Sequence, residues 1–263
     1  MMEIDANGMR LRFTIHGEGE PLLLVHGFPL SGKMWDAMVE RLVGEFRLIV
    51  PDLRGHGGSE ASDQASMGDY ADDLVAVLAG AGEMGPVVLV GMSMGGYVCL
   101  EFCRRYPDRV RGLALVDSRA EPDTDEAAAK RREPAERVLA EGSQVVADEM
   151  VGKLFAAEAS SELRDAWRAH MAATSPRGIA AALNAMAERP DSEPLLRELE
   201  VPVLVIVGAE DGITPVEVGR EMAMVAGGQL EVISGAGHMA AVEKPAEVAA
   251  ALAEFVRGVK GEG

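Results

Sequence analysis

Short, nearly unbroken aliphatic runs recur along this chain, each followed by a stretch of helical periodicity. That alternation leaves few folds open. The runs are Pro21–Gly27 (PLLLVHG), Phe46–Leu53 (FRLIVPDL), Pro86–Ser93 (PVVLVGMS), Val110–Ser118 (VRGLALVDS), Val201–Asp211 (VPVLVIVGAED) and Gln229–Ser234 (QLEVIS). Continuous Val, Leu and Ile over such lengths suits strands buried on both faces, as in a parallel sheet. An earlier stretch, Arg10–Gly17 (RLRFTIHG), alternates as an edge strand or hairpin does. Helical spacing marks Met34–Val43, Ser66–Ala79, Met94–Tyr106, Pro215–Val225 and Pro245–Val259. The Ser66 hydroxyl is placed to accept from a free backbone N–H and cap its helix. Pro215 and Pro245 have the fixed φ that suits a first helical turn. Strand and helix in alternation imply right-handed crossovers and an α/β sandwich.

One region breaks the rhythm. From Glu121 to about Arg197 there is no strand-like run. Val138, Leu139, Val145, Met150, Leu154, Leu163, Trp167 and Met171 recur at helical spacing instead. We read residues 120–197 as a helical cap inserted into a core made of 1–119 and 198–263. Its natural place is over the sheet edge where ligands bind. The tail Gly258–Gly263 (GVKGEG) reads as frayed.

Gly91-Met92-Ser93-Met94-Gly95 follows one strand-like run, VVLV, and precedes an amphipathic segment, YVCLEFCRRY. G-x-S-x-G in that setting is a sharp strand-to-helix turn with the serine at its tip. Side chains two before and two after the serine would collide, so both are glycine, and Gly96 extends the tight packing. Ser93 then sits at a helix N-terminus, where free N–H groups stabilise an oxyanion. The bland alternative is an ordinary Gly-rich strand-to-helix turn.

A serine nucleophile needs a base held by a third group. In this architecture acid and base follow the nucleophile in the order Ser, acid, His. His238 follows the last strand-like run, among flexible glycines (Gly235-Ala236-Gly237-His238). Asp211 ends the run before it. Among the other histidines, His26 and His56 precede Ser93, His16 lies on the edge strand, and His170 lies in the cap. Glu210 would face away from Asp211 along a strand. Asp117, at the end of the strand after Ser93, is the competing acid. Its structural role would be as a hydrogen-bond partner of Arg119. The two oxyanion donors are the N–H groups of Met94, after the nucleophile, and of Phe28, in the loop His26-Gly27-Phe28-Pro29.

Taken together, LLLVHGFPLSGKMW (22–35), VPDLRGHGGS (50–59), GMSMGGYV (91–98), VGAEDGITP (207–215) and GAGHMAAVEKP (235–245) resemble α/β-hydrolase-fold esterases over nearly the whole chain. With the segment ALNAMAERPDS (182–192), the arrangement resembles compact bacterial carboxylesterases. Enol-lactone hydrolases and cofactor-free haloperoxidase-like perhydrolases share the skeleton. The resemblance implies a mostly parallel eight-stranded sheet flanked by helices, with a lid over the acyl pocket. It implies that Asp52, Arg54, Gly55 and Ser59 form a structural loop. Haloalkane dehalogenases and epoxide hydrolases use an aspartate where this chain has Ser93.

The expected reaction is hydrolysis of carboxylic esters, with short acyl chains favoured by a small capped pocket. Leu30, Met150, Leu154, Trp167, Met171, Ile213 and Met239 are its candidate walls, with Phe28 and Met94. Each Met or Leu taken singly is more often plain core. No cofactor is required and no His/Cys cluster suggests a metal. A lactonase or perhydrolase would use the same triad, and a small-molecule receptor could keep the fold. The partner is a small-molecule ester. A net charge of −18 argues against nucleic acid and anionic membranes. Cys99 and Cys103 sit four apart on a helix, about 5–6 Å between Cβ atoms, too far for an unstrained bridge. Two free thiols, no signal peptide and no run of membrane length give a cytoplasmic location as the default. Monomer and homodimer both remain open.

Overall fold

The computed structural model describes residues 1–261. Eight strands form one sheet: β1 (Met2–Ala6), β2 (Met9–His16), β3 (Glu20–Val25), β4 (Phe46–Asp52), β5 (Val87–Met92), β6 (Val110–Val116), β7 (Val203–Gly208) and β8 (Gln229–Ile233). Their order is β1-β2-β4-β3-β5-β6-β7-β8. Every pair from β4 to β8 is parallel, while β1 and β2 are joined antiparallel at one end. Arg10–Gly17 is thus one arm of a hairpin and not the edge. The edge is β1 (MEIDA), which is too polar to show as a strand by sequence.

Two helical layers cover the sheet. The first contains α1 (Asp36–Leu42) and α11 (Pro245–Gly261). The second contains α2 (Met67–Gly80), α3 (Met94–Arg105) and α9 (Val216–Ala226). Side chains alternate across a strand, so consecutive residues feed different cores. Leu22, Leu24, Val88 and Val90 join Val248, Leu252 and Val256 on one side. Leu23, Val25 and Leu89 join Leu74, Val98 and Phe102 on the other. The strands read as unbroken aliphatic runs because neither face meets water.

Ser66 caps α2 as the sequence suggests: its Oγ accepts from Asp69 N at 3.1 Å, and Asp69 returns the bond to Ser66 N at 2.8 Å. Met34–Val43 divides into a 3-10 turn, Gly32–Trp35, and α1. Pro215 caps α9 from outside instead of opening its first turn. The tail expected to fray is helical as far as Gly261; its last two residues lie outside the described ones. Cys99 and Cys103 are free and buried on α3.

Five helices separate β6 from β7: α4 (Asp125–Glu141), α5 (Gln144–Leu154), α6 (Ser161–Ala172), α7 (Pro176–Ala187) and α8 (Glu193–Glu198). Ser160 and Ser175 cap α6 and α7 through their hydroxyls. Arg189, buried at the end of α7, ties this excursion together. It pairs with Asp123 at 2.7 Å, donates to Glu121 O and Met186 O, and lies 4.4 Å from the Tyr97 ring centroid on α3. Among the described residues no helix is long and apolar enough to cross a membrane.

Candidate active site

Ser93 sits between β5 and α3 with φ 50° and ψ −117°. A non-glycine residue persists there only when its surroundings over-determine it. They do so through backbone contacts. A Cβ on Gly91 would run into the carbonyl of Gly95, and one on Gly95 would run into the carbonyl of Val25 at the end of β3. A Cβ on Gly96 would strike the Ser118 hydroxyl. Ser93 N donates to Val116 O at 2.9 Å, and Ser93 O accepts from Gly96 N at 2.8 Å.

Two loops from later strands converge on this turn. Nε2 of His238 lies 2.9 Å from Ser93 Oγ, and Nδ1 lies 2.8 Å from Asp211 Oδ2. His238 and Asp211 are both buried, while Ser93 keeps partial exposure. Burial alone would raise the Asp211 pKa. Hydrogen bonds from His238 and Thr214 outweigh it and hold the carboxyl below its usual range. A carboxylate at Nδ1 selects the Nδ1–H tautomer, which leaves the Nε2 lone pair facing the serine hydroxyl.

The loop after β7 is built around that carboxylate. Asp211 Oδ1 accepts from Ile213 N at 2.7 Å and Thr214 N at 2.9 Å. The Thr214 hydroxyl bonds Oδ2, the same oxygen that faces His238. Thr214 joins the site without having been singled out in the sequence. Its only signal was a place three residues after Asp211.

Asp117 does not reach His238. Its carboxylate accepts from Gly208 N at 2.7 Å and Ala240 N at 3.1 Å, tying the end of β7 to the start of α10 (Ala240–Glu243). Burial, and then the Asp211 charge, push its pKa well up. Arg119, suggested as its partner, instead donates to Ile213 O at 2.5 Å. Glu210 turns outward, as anticipated, and accepts from Ala157 N at 3.2 Å.

The loop after β3 crosses the serine turn. Gly27 is so close that a Cβ there would lie 3.3 Å from Ser93 Cβ. This brings Phe28 beside the turn, and Met94, first residue of α3, has an N–H with no acceptor inside its helix. His26 anchors the loop from below: Nδ1 donates to Gly27 O at 2.9 Å and Nε2 accepts from Leu53 N at 3.0 Å. His16 bonds Thr14 at 2.9 Å and His170 bonds Ser31 at 3.0 Å, so neither competes with His238.

Of the anticipated pocket walls, Leu30, Leu154, Trp167, Met171 and Met239 are buried in one apolar cluster, and Met150 and Ile213 pack partly against it. Phe28 and Met94 belong to the cluster across the sheet. A cleft of about 390 Å³ opens elsewhere, beside β2 and β4, with Arg12, His16, Lys33 and His170 in its walls. It touches none of Ser93, Asp211 and His238. The 52–59 segment is structural in its contacts: Asp52 accepts from Gly32 N and Gly58 N, and Arg54 pairs with Asp73 at 2.6 Å. Gly55 meets Gly178 of α7 at a distance no side chain could share.

Residues 22–251 match the model of the alpha/beta hydrolase family. The chain belongs to that family. This hydrolase is similar to the pimeloyl-[acyl-carrier protein] methyl ester esterase of Chromobacterium violaceum, with 30% identity over 82% of this chain and 85% of that one. Its structure is similar to that of a thermophilic esterase from Thermogutta terrifontis, with TM-score 0.94 and 43% identity over 98% of both chains. An enol-lactonase from Burkholderia xenovorans aligns with TM-score 0.89 and 25% identity, over 97% of this chain and all of that one.

Proposed function

We propose that this hydrolase cleaves carboxylic esters through an acyl-enzyme on Ser93. The observation that carries the reading is the unbroken hydrogen-bonded line from Ser93 Oγ through His238 to Asp211. His238 Nε2 takes the hydroxyl proton as Ser93 Oγ attacks the acyl carbonyl. Asp211 keeps the imidazole in its tautomer and stabilises the imidazolium. The N–H groups of Phe28 and Met94 receive the developing oxyanion. The tetrahedral intermediate collapses, and the alcohol leaves with the proton from His238. A water molecule, activated by the same nitrogen, then releases the acid and regenerates Ser93.

The inserted helices serve as the cap, and the cluster around Leu154, Trp167 and Met171 supplies the apolar wall for a short acyl chain. The charge of −18 disfavours strongly anionic substrates. The esterase likeness at 43% identity supports ester over lactone as the principal substrate. The test is fluorophosphonate labelling followed by a chain-length series of p-nitrophenyl esters. Labelling confined to Ser93 and faster turnover of butyrate than palmitate are expected. A folded protein that resists the label would instead be a receptor. A preference for palmitate would overturn the short-chain assignment.

A further inference from the structure

The carboxylate of Glu243 divides its oxygens between two parts of the molecule. Oε2 accepts from Gly237 N at 2.8 Å, one residue before His238. Oε1 accepts from Ala156 N at 2.9 Å, in the linker between α5 and α6. The two backbones also touch directly: a Cβ on Gly237 would lie 2.5 Å from Ala156 N and 2.6 Å from the Phe155 carbonyl carbon. Arg164 holds the other side of the same residue, donating to Ala156 O at 2.6 Å. Around Glu243, Arg164 attracts its charge while Glu210 and Asp117 oppose it. Each N–H has an oxygen of its own, and an amide in this place would turn a donating NH₂ towards one of them.

We propose that Glu243 is a positioning residue coupling the seat of the α5–α6 linker to the placement of His238, so that the base is aligned only while the linker is down. The proposal rests on the reading of Ser93 and His238 as nucleophile and base. Lifting the linker removes one of the two donors from a half-buried carboxylate and breaks the close Gly237–Phe155 contact. The loop carrying His238 is then free to shift. Substrate entry and triad assembly become one event.

The test is a double-mutant cycle in the full chain, with Arg164→Ala loosening the linker and Glu243→Gln weakening the coupling. Each protein is assayed for kcat and KM on p-nitrophenyl butyrate and for amide exchange of residues 154–159 and 235–239. Exchange of residues 87–92 reports that the fold is kept. Alone, each substitution lowers kcat by about tenfold, changes KM by less than about threefold, and speeds exchange in both segments. Together they lower kcat little further than either alone, by less than about twofold. Additive losses overturn the coupling, as does a kcat in Glu243→Gln within about twofold of wild type. Failure of fluorophosphonate to label wild-type Ser93 would strike the functional reading instead, and the paired exchange result would still decide the coupling.

Discussion

The hydroxyl of Ser118 donates to the carbonyl of Ser93 at 2.9 Å. The strained turn is therefore held from the segment just past β6 as well as from its own helix. The same hydroxyl occupies the space that a Cβ on Gly96 would need, and Ser118 Cβ would lie 2.7 Å from it. Gly96→Ala is expected to lose about 2 kcal/mol through overpacking, and Ser118→Gly in that background to recover the larger part. Urea unfolding of the four proteins checks this. Independent, additive losses would show that the crowding lies elsewhere.

Asp211→Asn and Asp117→Asn should separate chemistry from support. The first leaves the wrong imidazole tautomer facing Ser93, and kcat is expected to fall by about four orders of magnitude. The second weakens the tie between Gly208 and Ala240. It should lower the thermal midpoint while keeping kcat within about tenfold of wild type. A reversed ranking in steady-state kinetics would exchange the two roles.

Two buried imidazoles set an acid limit. Burial is the largest cause in both: it takes His26 from 6.5 to about 4 and His56 from 6.5 to about 3. His56 donates through Nδ1 to Arg54 O at 3.0 Å, and its Nε2 is buried with no partner among the described residues. Both rings are neutral in the fold but protonate near 6.5 when unfolded. Their contribution to stability is therefore complete above 6.5 and declines as pH falls from there towards about 4 and about 3. Urea midpoints taken from pH 7 downward should show uptake approaching two protons on unfolding. His56→Gln should reduce that slope by about one.

Arg189 pairs with Asp123 while both side chains are almost wholly buried. Removing Arg189 leaves Asp123 to Arg131 alone, frees the carbonyls of Glu121 and Met186, and strips the Tyr97 ring of its cation. Arg189→Ala is expected to cost about 2 kcal/mol through the lost charged hydrogen bonds. Arg189→Lys should recover little, because an ammonium cannot span Asp123, Glu121 O and Met186 O at once. Denaturant unfolding of both variants measures it.

The parallel strands were legible in sequence because their burial on both faces leaves aliphatic runs. Ser93 and Asp211 were legible because each ends such a run, and His238 because it follows the last one. β1 was not legible, since MEIDA forms a strand only through its pairing with β2. Nor were the bounds of α4, which continues through Pro134 because neighbouring packing overrides local preference. Glu243 and Arg189 escaped for a different reason, through their bonds to Ala156 and Asp123. Their partners lie on other loops and helices, and nothing in local spacing records a contact that closes only in three dimensions. Asp117 stood in the sequence as the competing acid; its partners are backbone N–H groups, which no side-chain pattern reveals.

The turn that carries Ser93 is fixed by main chain meeting main chain at Gly91, Gly95 and Val25. Such contacts are indifferent to the identity of the side chains around them. Met92 and Met94, exchanged for apolar residues of similar volume, and the side chains of α5 and α6 other than Arg164 can therefore vary without shifting the serine. A mutant library aimed at changing substrate range has its freedom there. One that touched the glycines would spend its diversity on chains that never present a usable hydroxyl.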